Sequence, residues 1–128
     1  MIVLDASVLI GFFEAPDAHH ERAVELILRH AGDDFVASPL TLAEFLVGSA
    51  RRGDQHLAEA ERQVANLDLT QISLTEQSPR ELAELRVETG LPLPDCAVLH
   101  AARQVGGAVA SFDSRLSRAA EELGLPLA

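Results

Sequence analysis

The sequence predicts a single α/β domain in which a short central parallel β-sheet is flanked by helices on both faces. Short apolar runs typical of buried strands alternate with longer stretches typical of amphipathic helices. The 128 residues contain no internal repeat and no linker long enough to divide domains. Hydrophobic residues make up 48% of the chain, which is enough for a sizeable core at this length.

The first half of the chain begins with a predicted strand and continues mainly as helices. Ile2–Leu4 is apolar and β-branched, as expected of a buried strand. Pro16 ends the first helix, and Asp17 can cap the second. Ser38 caps and Pro39 opens the third helix. The predicted elements are strands at 2–4 and 34–37 and helices at 7–14, 17–31, 39–53 and 54–67.

The second half repeats the alternation of strand and helix. The segment LPLP, residues 91–94, is predicted to be extended, because residues that precede proline avoid the helical region. Glycines end the helices on either side of it. The predicted elements are strands at 69–72 and 108–112, helices at 75–89, 95–105 and 114–123, and a short edge strand at 125–127.

Composition excludes several classes of function. The net charge is −10, from 10 basic and 20 acidic residues, which disfavours plain electrostatic binding of nucleic acid. All ten basic residues are arginine, so mechanisms that need a lysine, such as P-loop phosphate binding or Schiff-base chemistry, are excluded. The chain has five Phe and neither Trp nor Tyr, which argues against a base-stacking platform of the single-strand-binding kind.

Nothing in the sequence indicates a membrane or secreted protein. No apolar run reaches the length of a membrane span, and no charged segment precedes a hydrophobic targeting region. Cys96 is the only cysteine, so an internal disulfide is impossible. We therefore expect a soluble, cytoplasmic protein with no membrane partner.

Four acidic residues occupy unusual positions. Asp5 and Asp113 each follow a predicted buried strand, and Asp95 begins a helix. Strand ends and helix N-termini meet at one edge of a parallel sheet, so these three side chains can converge there. Glu44 lies on the helical stripe of Leu40 and Val47, where a core-facing carboxylate is costly unless it is paired or binds metal.

Each of these residues also has a purely structural explanation. Asp5, Asp95 and Asp113 stand where a helix N-cap is expected, and Glu44 could pair with an arginine. If all four converge, their hard oxygen atoms suit Mg²⁺ or Mn²⁺. Such a site typically orients a phosphodiester and activates water.

Four segments of the chain together resemble the conserved blocks of PIN-domain nucleases, and most of all the VapC-type toxins of prokaryotic toxin–antitoxin pairs. The resemblance covers the whole chain in the right order. The segments are IVLDASVLI, LTLAEFLVG, LPLPDCAVLHAA and ASFDSRL, which begin at residues 2, 40, 91 and 110. The resemblance implies a PIN-like fold with acidic metal ligands at Asp5, Glu44, Asp95 and Asp113.

The resemblance also assigns supporting residues. Ser7 is expected to steady Asp5 or a water molecule, and Ser111 stands where the family often has Ser or Thr before its last Asp. Some members carry a further acid shortly after that Asp, whereas residues 114–117 here are Ser, Arg, Leu and Ser. A second metal would then be weakly held or supplied with the substrate. Arg115 could contact phosphate, or lie on a solvated helix face.

The implied activity is a Mg²⁺-dependent endoribonuclease, with Mn²⁺ able to substitute, that acts as a toxin on RNA. The implied partners are a cognate antitoxin and a second copy of the chain in a homodimer. Two alternatives stay open. One is a PIN nuclease of RNA processing or of DNA with no toxin role. The other is a phospho-acceptor domain that uses Asp5, which the missing lysine and the serine at position 7 disfavour.

Overall fold

A computed structural model describes residues 1–128, and in it the protein has four parallel strands and seven helices. None of the helices combines the length and apolar character needed to cross a membrane. The elements in chain order are β1 (Ile2–Leu4), α1 (Ala6–Phe13), α2 (His20–Arg29), β2 (Phe35–Ala37), α3 (Pro39–Arg52), α4 (Asp54–Asn66), β3 (Thr70–Gln71), α5 (Ser78–Thr89), α6 (Leu93–Val105), β4 (Ala108–Ala110) and α7 (Ser114–Glu122).

The sheet has the strand order β3-β2-β1-β4, and every pair of neighbouring strands is parallel. Because β1 and β4 are neighbours, Leu4 pairs with Ala110, and the segments that follow both strands begin side by side. The predicted edge strand near the end of the chain is reduced to a single parallel bridge between Val109 and Leu127. The predicted fold class, a parallel sheet between helices, is confirmed.

Hydrophobic side chains form one core on each face of the sheet, because successive residues of a strand point to opposite faces. Val3, Val36 and Val109 face one core, in which α5, α6 and α7 pack. Leu4 and Phe35 face the other core, in which α1 to α4 pack. The last residues of β1 and β4, Leu4 and Ala110, both belong to this second core.

Three predicted helix starts are wrong, and one of them is that of α5, which begins at Ser78 rather than at residue 75. Helix α6 begins at Leu93 rather than Asp95, because Pro92 is its N-cap and Pro94 lies in its first turn, where proline is tolerated. Helix α2 begins at His20, three residues after Asp17. The carboxylate of Asp17 accepts a hydrogen bond from the His19 N–H and so shapes the preceding turn.

Candidate active site

Asp5 lies at the carboxyl end of the central strand and is the most enclosed acidic residue of the candidate site. Its relative exposure is 7%. The residue is the N-cap of α1, and its Oδ1 accepts the Ala6 N–H at 2.8 Å. Its Oδ2 accepts two hydroxyl hydrogen bonds, from Ser7 Oγ and Ser111 Oγ, each at 2.7 Å. Asp5 is therefore held in one orientation by three donors.

The two serine hydroxyls also bind the segment between β4 and α7. Ser7 Oγ accepts the N–H of Phe112 at 3.1 Å, and Ser111 Oγ accepts the N–H of Asp113 at 3.0 Å. Each serine thus donates to Asp5 and accepts from this segment. Sequence analysis did not predict the contact of Phe112 with Ser7. Phe112 contributes only its backbone N–H, which any residue other than proline at that position would supply.

The prediction that Glu44 faces the core is wrong. Glu44 is exposed, and Leu40 and Val47 on the same stripe of α3 are 38% and 45% exposed. The helix instead buries the face that carries Leu42 and Phe45. Apolar residues occupy more than one face of α3, so periodicity alone did not single out the buried one.

The carboxyl group of Glu44 nonetheless lies near the other acids. Although the residue as a whole is exposed, desolvation of its carboxyl group raises the pKa of Glu44, and the negative charges of Asp5 and Asp95 raise the pKa further. Glu44 takes part in none of the protein's ion pairs. The alternative in which Glu44 pairs with an arginine is therefore not observed.

Asp95 is half-buried in the first turn of α6, and it is not the N-cap of that helix. Burial raises the pKa of Asp95, the charges of Asp5 and Asp113 raise it further, and the Arg115 guanidinium partly opposes this shift. Like Glu44, Asp95 takes part in no ion pair. Asp95 thus has acidic neighbours, and it neither caps its helix nor forms an ion pair.

Asp113 does cap its helix. Its Oδ1 accepts the N–H groups of Arg115 at 2.9 Å and Leu116 at 3.4 Å, at the start of α7. The same residue is close enough to Asp95 to raise its pKa. Capping and membership of the acidic group are therefore compatible, for Asp113 as for Asp5.

The structure brings the four predicted acids to one edge of the sheet, but it does not place them as a finished metal site. The charge of Asp5 raises the pKa of both Glu44 and Asp95, and the charge of Asp113 also raises the pKa of Asp95. No three Asp, Glu, His or Cys side chains of the protein form a preassembled metal-ligand group. The donor atoms are all carboxylate oxygens, however, and none of the four acids forms an ion pair. This chemistry fits a hard divalent cation.

The raised pKa of Glu44 leads to a prediction about stability in EDTA. Folded protein holds the proton of Glu44 more tightly than unfolded protein does, so the charged group destabilises the fold at pH 7. This cost disappears as the pH falls toward the ordinary carboxyl range, about pH 4. Glu44→Gln should therefore melt above wild type at pH 7, and the difference should shrink toward pH 4.5. Thermal melts at both pH values measure this difference.

The matched control is Glu61→Gln, which removes the same charge from the exposed surface of α4. We expect it to change the melting temperature little at either pH. A difference between Glu44→Gln and wild type that is the same at both pH values would contradict the prediction.

Comparison with known proteins places this chain in a family. The family model described as "PIN domain" matches residues 2–122. No curated protein matches the chain significantly.

Several solved structures share the fold. A crystal structure of VapC20 from Mycobacterium tuberculosis, described as a sarcin-ricin loop cleaving toxin, has a TM-score of 0.77 and 21% identity, covering 93% of this chain and 95% of that chain. VapBC2 from Rickettsia felis, bound to a DNA fragment from its promoter, has a TM-score of 0.71 and 15% identity, covering 100% and 98%. A toxin–antitoxin complex from Klebsiella pneumoniae has a TM-score of 0.67 and 21% identity, covering 89% and 88%.

Proposed function

Because this chain belongs to the PIN domain family, we propose that it is a metal-dependent endoribonuclease that acts as the toxin of a toxin–antitoxin pair. The observation that carries the proposal is the group of unpaired carboxylates around Asp5 at the carboxyl edge of the sheet. An acidic group of this kind, in a chain of net charge −10, needs a cation before it can approach RNA.

Asp5, Glu44, Asp95 and Asp113 would hold the cation, which we propose to be Mg²⁺ with Mn²⁺ as a substitute. When bound, a divalent cation activates water and stabilises negative charge on the phosphodiester. Asp5 Oδ2 is occupied by two hydroxyl donors, so Oδ1, with a single N–H donor, is its available oxygen. Asp113 uses Oδ1 as a cap and has Oδ2 free.

Ser7 and Ser111 act as positioning residues in this proposal. They fix the orientation of Asp5 and tie it to the segment that carries Asp113. The Arg115 guanidinium lies close enough to Asp95 to lower the pKa of that carboxyl group. From this position the guanidinium can contact the phosphate of an RNA bound at the carboxylates. The phospho-acceptor alternative remains disfavoured by the absence of lysine and by the serine at position 7.

The proposed protein partners are a cognate antitoxin and a second copy of the chain. The described toxin activity of VapC20 and the toxin–antitoxin complex from K. pneumoniae support the first partner. The acidic edge is complementary to a basic segment of such an antitoxin. Exposed Leu40 and Val47 on α3 give an apolar surface that a homodimer could cover.

The proposal is tested by incubating purified protein, freed of antitoxin, with cellular RNA. We expect cleavage with Mg²⁺ or Mn²⁺, loss of cleavage in EDTA, and recovery when Mg²⁺ is added in excess. Glu44→Gln protein purified by the same protocol controls for contaminating ribonuclease. Undiminished cleavage in EDTA, absent from that control preparation, would show that the enzyme does not use a metal.

A further inference from the structure

A small aromatic and cationic cluster lies beside the acidic edge. The imidazole of His19 stacks on the ring of Phe112, with ring centroids 5.0 Å apart and planes inclined by 24°. The guanidinium carbon of Arg22 lies 4.8 Å from the centroid of the same ring. We call these three side chains the His19–Arg22–Phe112 platform.

The platform is joined directly to the candidate site. Phe112 stands between Ser111, which donates to Asp5, and Asp113, which caps α7. The N–H of Phe112 donates to Ser7, which in turn donates to the carboxylate of Asp5. A group bound on the platform would therefore be a near neighbour of a phosphate held at the carboxylates.

The turn that carries His19 is fixed against α1. Asp17 accepts the His19 N–H at 2.9 Å, and His20 Nδ1 lies 2.7 Å from the carbonyl oxygen of Gly11. Gly11 allows this close approach, because a Cβ there would lie 3.1 Å from the Cβ of Ala23 and 3.3 Å from the carbonyl oxygen of His19. The platform is thus held in place by contacts with the helix that Asp5 caps.

Arg22 presents a cation that the protein does not use in an ion pair. It is exposed and belongs to none of the four ion pairs, whereas Arg62 and Arg80 bond to neighbouring glutamates. In a chain of net charge −10, an unpaired guanidinium over the ring of Phe112, the residue before Asp113, is suited to an anionic ligand.

We propose that the platform binds the nucleotide next to the scissile bond of a single-stranded RNA. Arg22 contacts the phosphate of that nucleotide, and its base stacks on the part of the half-buried His19 and Phe112 rings that stays accessible, as bases do on aromatic planes. Composition argued against a platform of the single-strand-binding kind, and three side chains can accept about one base. The inference rests on the proposed ribonuclease function and adds a substrate-positioning subsite to it.

The test measures binding of a fluorescent single-stranded RNA by anisotropy at several salt concentrations. Ca²⁺ replaces Mg²⁺, since it also takes oxygen ligands but without strict octahedral geometry, and a gel checks that the RNA stays intact. Arg22→Gln should weaken binding and lower the slope of log K against log salt by about 0.7, as expected for one lost phosphate contact. Arg29→Gln, the same change on the same helix, should leave the slope unchanged.

His19→Ala should weaken binding by about fivefold or more without changing the slope, because a stacking contact carries no charge. In Mg²⁺, both variants should raise KM for cleavage more than they lower kcat. Lower melting temperatures with an unchanged salt slope and unchanged KM would show that the platform only packs α2 against the site, and would overturn the inference.

The outcomes separate this inference from the proposed function. Cleavage by the unaltered protein, with equal slopes for Arg22→Gln and Arg29→Gln, would overturn the platform alone. Salt-dependent RNA binding through Arg22 without any metal-dependent cleavage would overturn the ribonuclease proposal and leave the platform as an RNA-binding site without a scissile bond beside it. Failure of the unaltered protein to bind RNA would overturn both.

Discussion

Replacing Glu44 with glutamine is expected to lower the rate of RNA cleavage by at least about 100-fold while leaving the fold intact. The side chain is exposed and forms no ion pair, so the substitution removes no structural contact. It does remove a carboxylate that lies within the electrostatic reach of Asp5 and Asp95. Single-turnover cleavage and circular dichroism of the same samples measure the two effects.

Glu61→Gln serves as the control for this variant, since it removes an equal charge from α4 outside the acidic group. It should cleave RNA at the wild-type rate. Cleavage by Glu44→Gln at that rate would exclude Glu44 from the active site. An unfolded Glu44→Gln protein would assign the carboxylate a structural role.

Asp5→Asn is expected to abolish cleavage and also to destabilise the protein by about 1–3 kcal/mol, even in EDTA. The carboxylate is buried and accepts one N–H and two hydroxyl hydrogen bonds. An amide has a single oxygen, so its NH₂ group must face either the Ala6 N–H or the two serine hydroxyls. This mismatch opposes the relief that comes from removing a charge beside Glu44 and Asp95.

Urea denaturation in EDTA measures the stability of this variant against wild type. Asp95→Asn is the matched comparison, because Asp95 caps no backbone group and should lose no such bonds. Equal stability of Asp5→Asn and wild type would mean that the three hydrogen bonds at Asp5 contribute little.

The fold and the position of Asp5 could be predicted because both depend on local signals. An apolar, β-branched run that ends in an acidic residue marks a buried strand and its carboxyl end. The alternation of such runs with helices then gives the parallel sheet. The structure confirms that β1 ends directly before Asp5.

The orientation of Glu44 could not be predicted, because α3 carries apolar side chains on more than one face. Leu40 and Val47 share the stripe of Glu44, yet the protein buries Leu42 and Phe45. Which face is buried depends on the sheet and on neighbouring helices, and neither is visible in a single helical pattern.

The predicted start of α6 is wrong for a different reason. Proline favours an extended residue before it but is also tolerated in the first helical turn. The segment LPLP is compatible with both, and the protein begins the helix at Leu93. That shift of two residues places Asp95 inside the first turn and removes its capping role.

The hydrogen bonds that orient Asp5 depend on strand order. Ser111 is 106 residues from Asp5, and the bond between Phe112 and Ser7 spans 105 residues. Both exist because β1 and β4 are neighbours in the sheet. A sequence pattern predicts that the strands are parallel, but it does not predict which pair is adjacent.

The central claim is that the acids at this edge share one divalent cation, and melting of wild type and Asp95→Asn in EDTA and in Mg²⁺ tests it most directly. Asp95 has acidic neighbours and no cap to lose, so Asp95→Asn should melt at or above wild type in EDTA. Mg²⁺ at 100 times its dissociation constant should stabilise wild type by about 2.7 kcal/mol, and Asp95→Asn should lose most of that gain. If Mg²⁺ shifts neither protein, or shifts both equally, Asp95 belongs to no shared cation site and the account is contradicted.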